Sequence, residues 1–370
     1  MLKRIICLVL ALLFVFGAVG CGESTYEPVE STEEEARVIM TLTIDSKTYE
    51  VKYELYRTLF LTYKSEIDGG DSSVWESDES DVYVQRINEL IIDRITDIYS
   101  AFAVAESIGY DVYGADADLK VEDYIRISIE GEGGIEGVGS YENYLAELKK
   151  YYMNYSVQDL MLRYSIAMDE INEYYIGTLS TDEIDSDGIT VGALKYTEAD
   201  VKAFYDSDEC VRVLRTYLQA SVSYEPEQRA ENVRNKILEA AVNGETAVAY
   251  AMIANGSLIA EAEVERGYII AKHNLDPAYY SEMTEEAFKL GVGDVSPVIE
   301  IHDGGERVFY ILYRAEKSDE NYSENYSHIL YVYLTNRVGE IVDSAKDNLA
   351  KSISYTDVFK NIEHKGIGMD

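Results

Sequence analysis

The chain has 370 residues, 47% of them hydrophobic, and carries 32 Lys+Arg against 69 Asp+Glu for a formal net charge of -37. That length and apolar content suffice for two domains with separate cores and exclude a disordered chain. Such an acidic surface, with no basic stripe to offset it, repels a phosphate backbone and excludes nucleic acid as a partner.

Lys3 and Arg4 precede an apolar run from Ile5 to Phe16, and Ala18-Val19-Gly20 leads into Cys21. The run is too short to span a membrane and is followed at once by polar residues, so residues 1–20 read as an export signal. Small residues directly before a cysteine resemble the lipobox of bacterial lipoproteins. That resemblance implies that Cys21 becomes the lipid-modified first residue of a chain held on the extracytoplasmic face of a bacterial membrane. Buried acyl methylenes contribute ~0.8 kcal/mol each, enough in sum for stable attachment. Losing Lys3 and Arg4 makes the mature chain still more acidic, so residues 21–37, with "ESTYEPVESTEEEAR" from Glu23, are expected to be an acidic linker that holds the body off the lipid.

Cys7 leaves with the signal and Cys21 is consumed by lipid, which leaves Cys210 as the remaining thiol. His273, His302, His328 and His364 stand far apart without paired spacing. No internal disulfide, metal site or cofactor is expected.

Residues 38–209 open with an alternating run, Val38, Met40, Leu42 and Ile44, then a turn at Asp45-Ser46-Lys47 and renewed alternation at Tyr49 and Val51: a hairpin. A helix is expected over about residues 52–65, followed by an acidic loop at 68–81. The strongest helical signal covers about 82–108, where Val84, Ile87, Leu90, Ile91, Ile95, Ile98, Tyr99, Phe102 and Ala105 recur at three and four and Gly109 stands just past the end. Two more helices, at about 116–130 and 141–175, flank "GEGGIEGVG", which reads as a mobile loop because it lacks the strand and lysine of a phosphate cradle. "DEIDSDGIT" imitates a calcium loop, but Leu194 stands where a bidentate Glu belongs, so it reads as a solvated acidic turn. Thr197 and Asp200 then cap a short helix with Val201, Phe204 and Tyr205 on its apolar face. The 33 tyrosines, including those of "KKYYMNY" (Lys149 to Tyr155) and "EYYIG", serve either as packing or as an adaptable amphipathic lining.

In residues 210–317, Val211 to Ser221 and Arg266 to Lys272 read as strands, Pro226 to Glu245 as a helix ended by Gly244, and Glu306 to Arg314 as a closing strand. Between them lies "TEEAFKLGVGDVSPVIEI", Thr284 to Ile301. Its Ala287, Phe288, Leu290, Gly293, Asp294, Ser296, Pro297 and Val298 resemble the helix-turn-strand of a parvulin domain. With "AVAESIGYDV" and "YTEADVKAFYD" in this order, the chain resembles the extracytoplasmic foldases of the PrsA and SurA type. The resemblance implies an α+β fold: a mostly helical chaperone domain, completed by a C-terminal helical segment at 318–370, around an inserted parvulin-like domain with a small antiparallel sheet and helices. It also implies that the partners are unfolded or partly folded exported proteins.

Active parvulins place two histidines beneath the substrate proline. Here Arg215 takes the opening-strand position and Tyr310 the closing-strand one, with Phe309 a residue away, and no Cys or Asp stands convincingly just before Gly267. Rotating a prolyl bond crosses ~18 to 20 kcal/mol, which demands a dry, ordered pocket. With both histidine positions changed, the domain is read as a degenerate peptidyl-prolyl isomerase. Tyr279, Met283, Phe288 and Phe309 remain candidate peptide contacts, Met283 because a flexible thioether suits promiscuous apolar surfaces. Competing readings are an isomerase with residual activity and a cell-surface lipoprotein that reuses the fold to hold one partner.

"YSHILYVYL", Tyr326 to Leu334, spells the way a parvulin opening strand begins, yet too little chain follows it for an independent domain of at least ~50 residues. Ile329, Leu330, Tyr333, Leu334, Val338, Ile341 and Val342 step by three and four instead, which predicts a helix with His328 on its surface or in its packing.

Overall fold

A computed structural model describes residues 26, 29–44, 46–68, 72–77, 79–132, 135–177, 192–222, 224–255, 264, 266–273, 281–303 and 306–368. Cys21, the calcium-like stretch and Tyr279 lie outside them. The chain forms two units, Met1–Ile171 with Ile341–Asp370, and Asn172–Glu340.

In the first unit, strands β1 (Val38–Ile44) and β2 (Lys47–Lys52) form the expected hairpin, with Leu42 opposite Tyr49 and Met40 opposite Val51. Helix α1 (Tyr53–Asp68) follows at once and buries Leu55, Tyr56, Leu59 and Phe60. Helix α2 (Ser80–Ser107) buries Ile87, Ile91, Ile95, Ile98 and Phe102 along one face. It stops where Gly109 takes φ 96° and Tyr110 N–H donates back to the Ala105 carbonyl at 3.0 Å. After α3 (Ala115–Glu130), two short strands in the glycine-rich stretch expected as a loop pair with each other, β3 (Gly131–Glu132) against β4 (Ile135–Glu136). Its glycines permit close approach: a Cβ on Gly137 would sit 2.3 Å from Gly131 N and 2.4 Å from the Ile129 oxygen.

The helix expected over 141–175 is two, α4 (Tyr141–Lys150) and α5 (Tyr155–Ile176). Tyr152 adopts φ 61°, Met153 N–H donates to the Leu148 carbonyl at 3.0 Å, and Asn154 Oδ1 accepts from Val157 N–H at 2.9 Å to start the next helix. Part of the acidic segment expected as a solvated linker docks on this unit. Thr32 and Glu35 cap each other reciprocally, and Glu54 N–H donates to the Glu35 carbonyl at 3.0 Å.

The second unit opens with α6 (Glu198–Asp206), whose Thr197–Asp200 capping box forms as expected. Strand β5 (Cys210–Gln219) precedes α7 (Pro226–Ala241) and α8 (Glu245–Asn255), which the turn at Gly244 separates. Then come β6 (Tyr268–Ala271), α9 (Ser281–Lys289), β7 (Ile299–Asp303) and β8 (Glu306–Ala315). The sheet order is β6-β5-β8-β7, antiparallel throughout. One face buries Leu214, Leu218, Phe309 and Ile311 under α7 and α8; the other buries Val211, Val213, Ile270 and Leu312 with Met283 and Ala287 of α9. Asp319–Glu324 (α10) leads into α11 (Tyr326–Ala350), so "YSHILYVYL" is helical. Beyond α11 the chain adds β9 (Ser354–Tyr355) to the first unit beside β1 and ends through α12 (Asp357–Lys360).

Arg212, 1% exposed on β5, ties the second unit together. Its Nε and Nη2 donate to the Arg266 carbonyl at 3.1 and 3.0 Å, and its Nη1 to the Glu316 carbonyl at 3.1 Å and to Glu245 at 2.8 Å. Removing one partner of such a set strands the others, so Arg212→Ala is expected to cost about 3 to 5 kcal/mol. A fall in the urea midpoint of the unfolding transition checks it.

Candidate functional site

The break between α4 and α5 shapes the first unit's surface. Thr58 Oγ1 donates to the Tyr152 carbonyl at 2.8 Å and holds the left-handed residue in place. A non-glycine residue held in that region marks a position that the surrounding structure over-determines. Lys149 and Tyr152 to Tyr155 of "KKYYMNY" thereby form one wall of a cavity of about 330 Å³, lined also by Leu145, Leu148, Arg57 and Glu54. A second cavity, about 630 Å³, is lined by Lys52, Val121, Asp159 and Arg163 among others, and Val29 and Tyr155 line both.

The buried charges around these cavities are satisfied. Glu54, 5% exposed, accepts from Asn154 Nδ2 at 2.9 Å, Ser156 Oγ at 2.7 Å and Ser31 Oγ. Arg163 donates to Asp118 at 2.6 Å, Asp159 at 2.8 Å and the Val112 carbonyl at 2.9 Å. Burial, followed by the negative charge of Asp159, pushes the Tyr155 hydroxyl up to about 12, so it stays protonated as a donor.

In the second unit, Arg215 and Tyr310, the two residues expected at the parvulin histidine positions, come together. Arg215 pairs across the ladder with Leu312 and Tyr217 with Tyr310, so Arg215 and Tyr310 are diagonal neighbours on one face of β5 and β8. The Arg215 guanidinium stands 3.8 Å from the centroid of the Tyr268 ring, and the Tyr217 and Tyr310 rings are 5.6 Å apart. His328 of α11 belongs to the same charged surroundings: burial, then the charges of Arg266 and Arg215, lower its pKa to about 4. A guanidinium is charged at every working pH and cannot stand in for a neutral imidazole.

The remaining expected contacts are placed differently. Phe309 points to the opposite face from Tyr310 and is 2% exposed within the helix-covered core, because side chains alternate along a strand. Met283 is 0% exposed, and Phe288 packs partly buried against the same core. Met283 and Phe309 are therefore corrected from surface contacts to packing residues. Tyr217 and Tyr268 were not anticipated; alternation from Arg215 marks Tyr217, whereas Tyr268 arrives only through strand pairing. Among the described residues no three His, Cys, Asp or Glu side chains converge as metal ligands, and no helix is long and apolar enough to cross a membrane.

No protein-family model matches the chain, and no curated protein matches it. Among solved structures, the chain is similar to the foldase protein PrsA from Streptococcus pneumoniae at 19% identity, over 78% of this chain and 95% of that one, with TM-score 0.30. It is similar to the foldase protein PrsA from Lactococcus lactis at 15% identity over 87% and 96%, with TM-score 0.23. It is similar to PrsA from Bacillus subtilis at 16% identity over 91% and 99%, with TM-score 0.24.

His328 sits well below its unfolded value of about 6.5, so the unfolded chain binds the extra proton. Stability from this group is full above pH 6.5 and is lost as pH falls towards 4. The loss is about 3 kcal/mol. Urea midpoints between pH 7 and 4 are expected to fall, and to fall less in His328→Leu; His364, also lowered by burial, supplies part of the remaining slope.

Proposed function

We propose that the chain is a lipid-anchored extracytoplasmic chaperone of the foldase type, which holds unfolded or partly folded exported polypeptides. In this reading residues 38–209 with 318–370 form the chaperone domain, and the parvulin-like domain at 210–317 contributes surface and little or no catalysis. The observation that carries it is the pair of cavities that share Val29 and Tyr155. Apolar Leu145, Leu148, Val121 and Met153 alternate there with tyrosines and polar groups, a lining suited to an extended main chain with mixed side chains.

Support for the non-catalytic part comes from the sheet face. A permanent charge stands at Arg215, whereas twisting a prolyl amide requires a dry, apolar site. Support for the anchor is the signal ending at Cys21. The net charge of -37 keeps the body and its client away from anionic lipid and from other loaded copies.

The full chain in detergent is expected to suppress aggregation of a chemically unfolded test protein at equimolar amounts. Failure to do so overturns the chaperone reading in favour of a lipoprotein that holds one partner. A protease-coupled prolyl-peptide assay is expected to show no turnover above background; turnover that disappears in Tyr310→Ala overturns the non-catalytic assignment. Cys21→Ala is expected to move the chain out of the membrane fraction and abolish its labelling by radioactive fatty acid.

A further inference from the structure

We infer that the cavity walled by Lys149 to Tyr155 is a carboxylate-reading subsite: it takes a peptide segment in which an apolar or aromatic side chain adjoins a carboxylate. The ligand class rests on the polypeptide-binding reading above; the charge preference rests on a separate observation, the pairing of charges across the first unit.

Acids outnumber bases 69 to 32 in this chain, so the ordinary fate of a cation is an ion pair. Lys150 pairs with Glu147, Lys346 with both Asp93 and Asp97, and Arg163 with Asp118 and Asp159. Arg57 and Lys149 line the same cavity, and neither has a carboxylate partner among the described residues. The two acids of that cavity are already engaged. Glu54 accepts from Asn154 and Ser156, and Glu35 accepts from Thr32 N–H and Oγ1 at 2.9 Å each. Among the described residues, an acidic protein thus leaves a guanidinium and an ammonium without a carboxylate partner at one cavity and ties the cavity's own carboxylates to other donors.

The rest of the lining accounts for the apolar half of the ligand. Leu148 and Met153 are buried beneath the cavity at 1% and 2% exposure, while Tyr152 is 41% exposed beside it. About 330 Å³ accommodates one large side chain with its flanking main chain rather than a folded partner. A guanidinium offers five donors in a planar fork and an ammonium three, so each can hold a carboxylate that enters this cavity. Two sources present this chemistry, the free C-terminus of a chain and an Asp or Glu side chain beside an apolar residue.

The test uses the full chain in detergent and three acetylated peptides measured by calorimetry. One ends in Phe-Leu with a free carboxylate, one is the same peptide amidated, and one is amidated with an internal Asp beside Phe. At least one carboxylate peptide is expected to bind roughly tenfold or more tighter than the neutral amide, with the preference weakening as salt is raised. The peptide that gains identifies the source. Arg57→Gln with Lys149→Gln is expected to bring all three peptides to the level of the amide, whereas Arg57→Lys retains part of the preference; unchanged melting temperatures certify the fold. Equal binding of all three within about twofold, or a preference that survives the double substitution, overturns the assignment. Aggregation suppression that persists without any carboxylate preference removes the subsite and leaves the chaperone reading; a preference without suppression does the reverse.

Discussion

A guanidinium cannot be buried without several partners, and Arg212 imposes that condition on the second unit. Its donors go to the Arg266 and Glu316 carbonyls and to Glu245, three places far apart in the chain. An uncompensated buried charge costs several kcal/mol, so these segments must assemble together. Gly267 follows from the same constraint: it takes φ 78°, and a Cβ there would lie 3.1 Å from Arg212 Nε. With the start of β6, the start of α8 and the exit of β8 held around one side chain, β5 is fixed against both neighbours. That register places Arg215, Tyr217 and Tyr310 on one face.

The stretch that most sharply resembles a parvulin, Thr284 to Val298, acts on the same sheet by another route. Gly293 N–H donates to the Arg314 carbonyl at 2.8 Å, and Arg314 N–H to the Asp294 carbonyl at 2.9 Å. Ser296, fully buried, donates its N–H to the Leu312 carbonyl and accepts Leu312 N–H on its Oγ, both at 2.9 Å. Ser296 thus supplies a side-chain acceptor where the β7–β8 ladder has not yet begun. Gly293, at φ 93°, occupies a conformation that L side chains rarely adopt. These residues hold the sheet edge together.

Helix α2 was legible because its apolar residues repeat from Val84 to Ala105, about six turns, and the hairpin because its alternation brackets a turn. Helices α4 and α5 were not separated in the sequence. Tyr151 to Asn154 contains no glycine or proline, and the left-handed Tyr152 is held by Thr58 from a distant helix. Tyr217 was missed although simple alternation from Arg215 puts it on the same face. Phe309 and Tyr310 were both kept as candidates because a one-residue change of register inverts every side chain, and pairing with β5 puts Phe309 in the core. Met283 lies on a helix face that is apolar in any setting, and only the sheet beneath it makes that face interior.

The sequence by itself determined the acidic balance, the periodic helices, the small-residue run that leads into Cys21, and the residue types at positions 215 and 310. These are local properties: composition, a spacing of three and four, or the identity of one residue in a short motif. Tertiary structure alone decided that Arg215 meets Tyr268, that His328 belongs with Arg215 and Arg266, and that "KKYYMNY" walls a cavity. It also decided which cations remain without a carboxylate among the described residues. An ion pair such as Arg163 with Asp118 joins side chains from different helices, so a charge's partner is chosen by packing and is invisible in the order of residues.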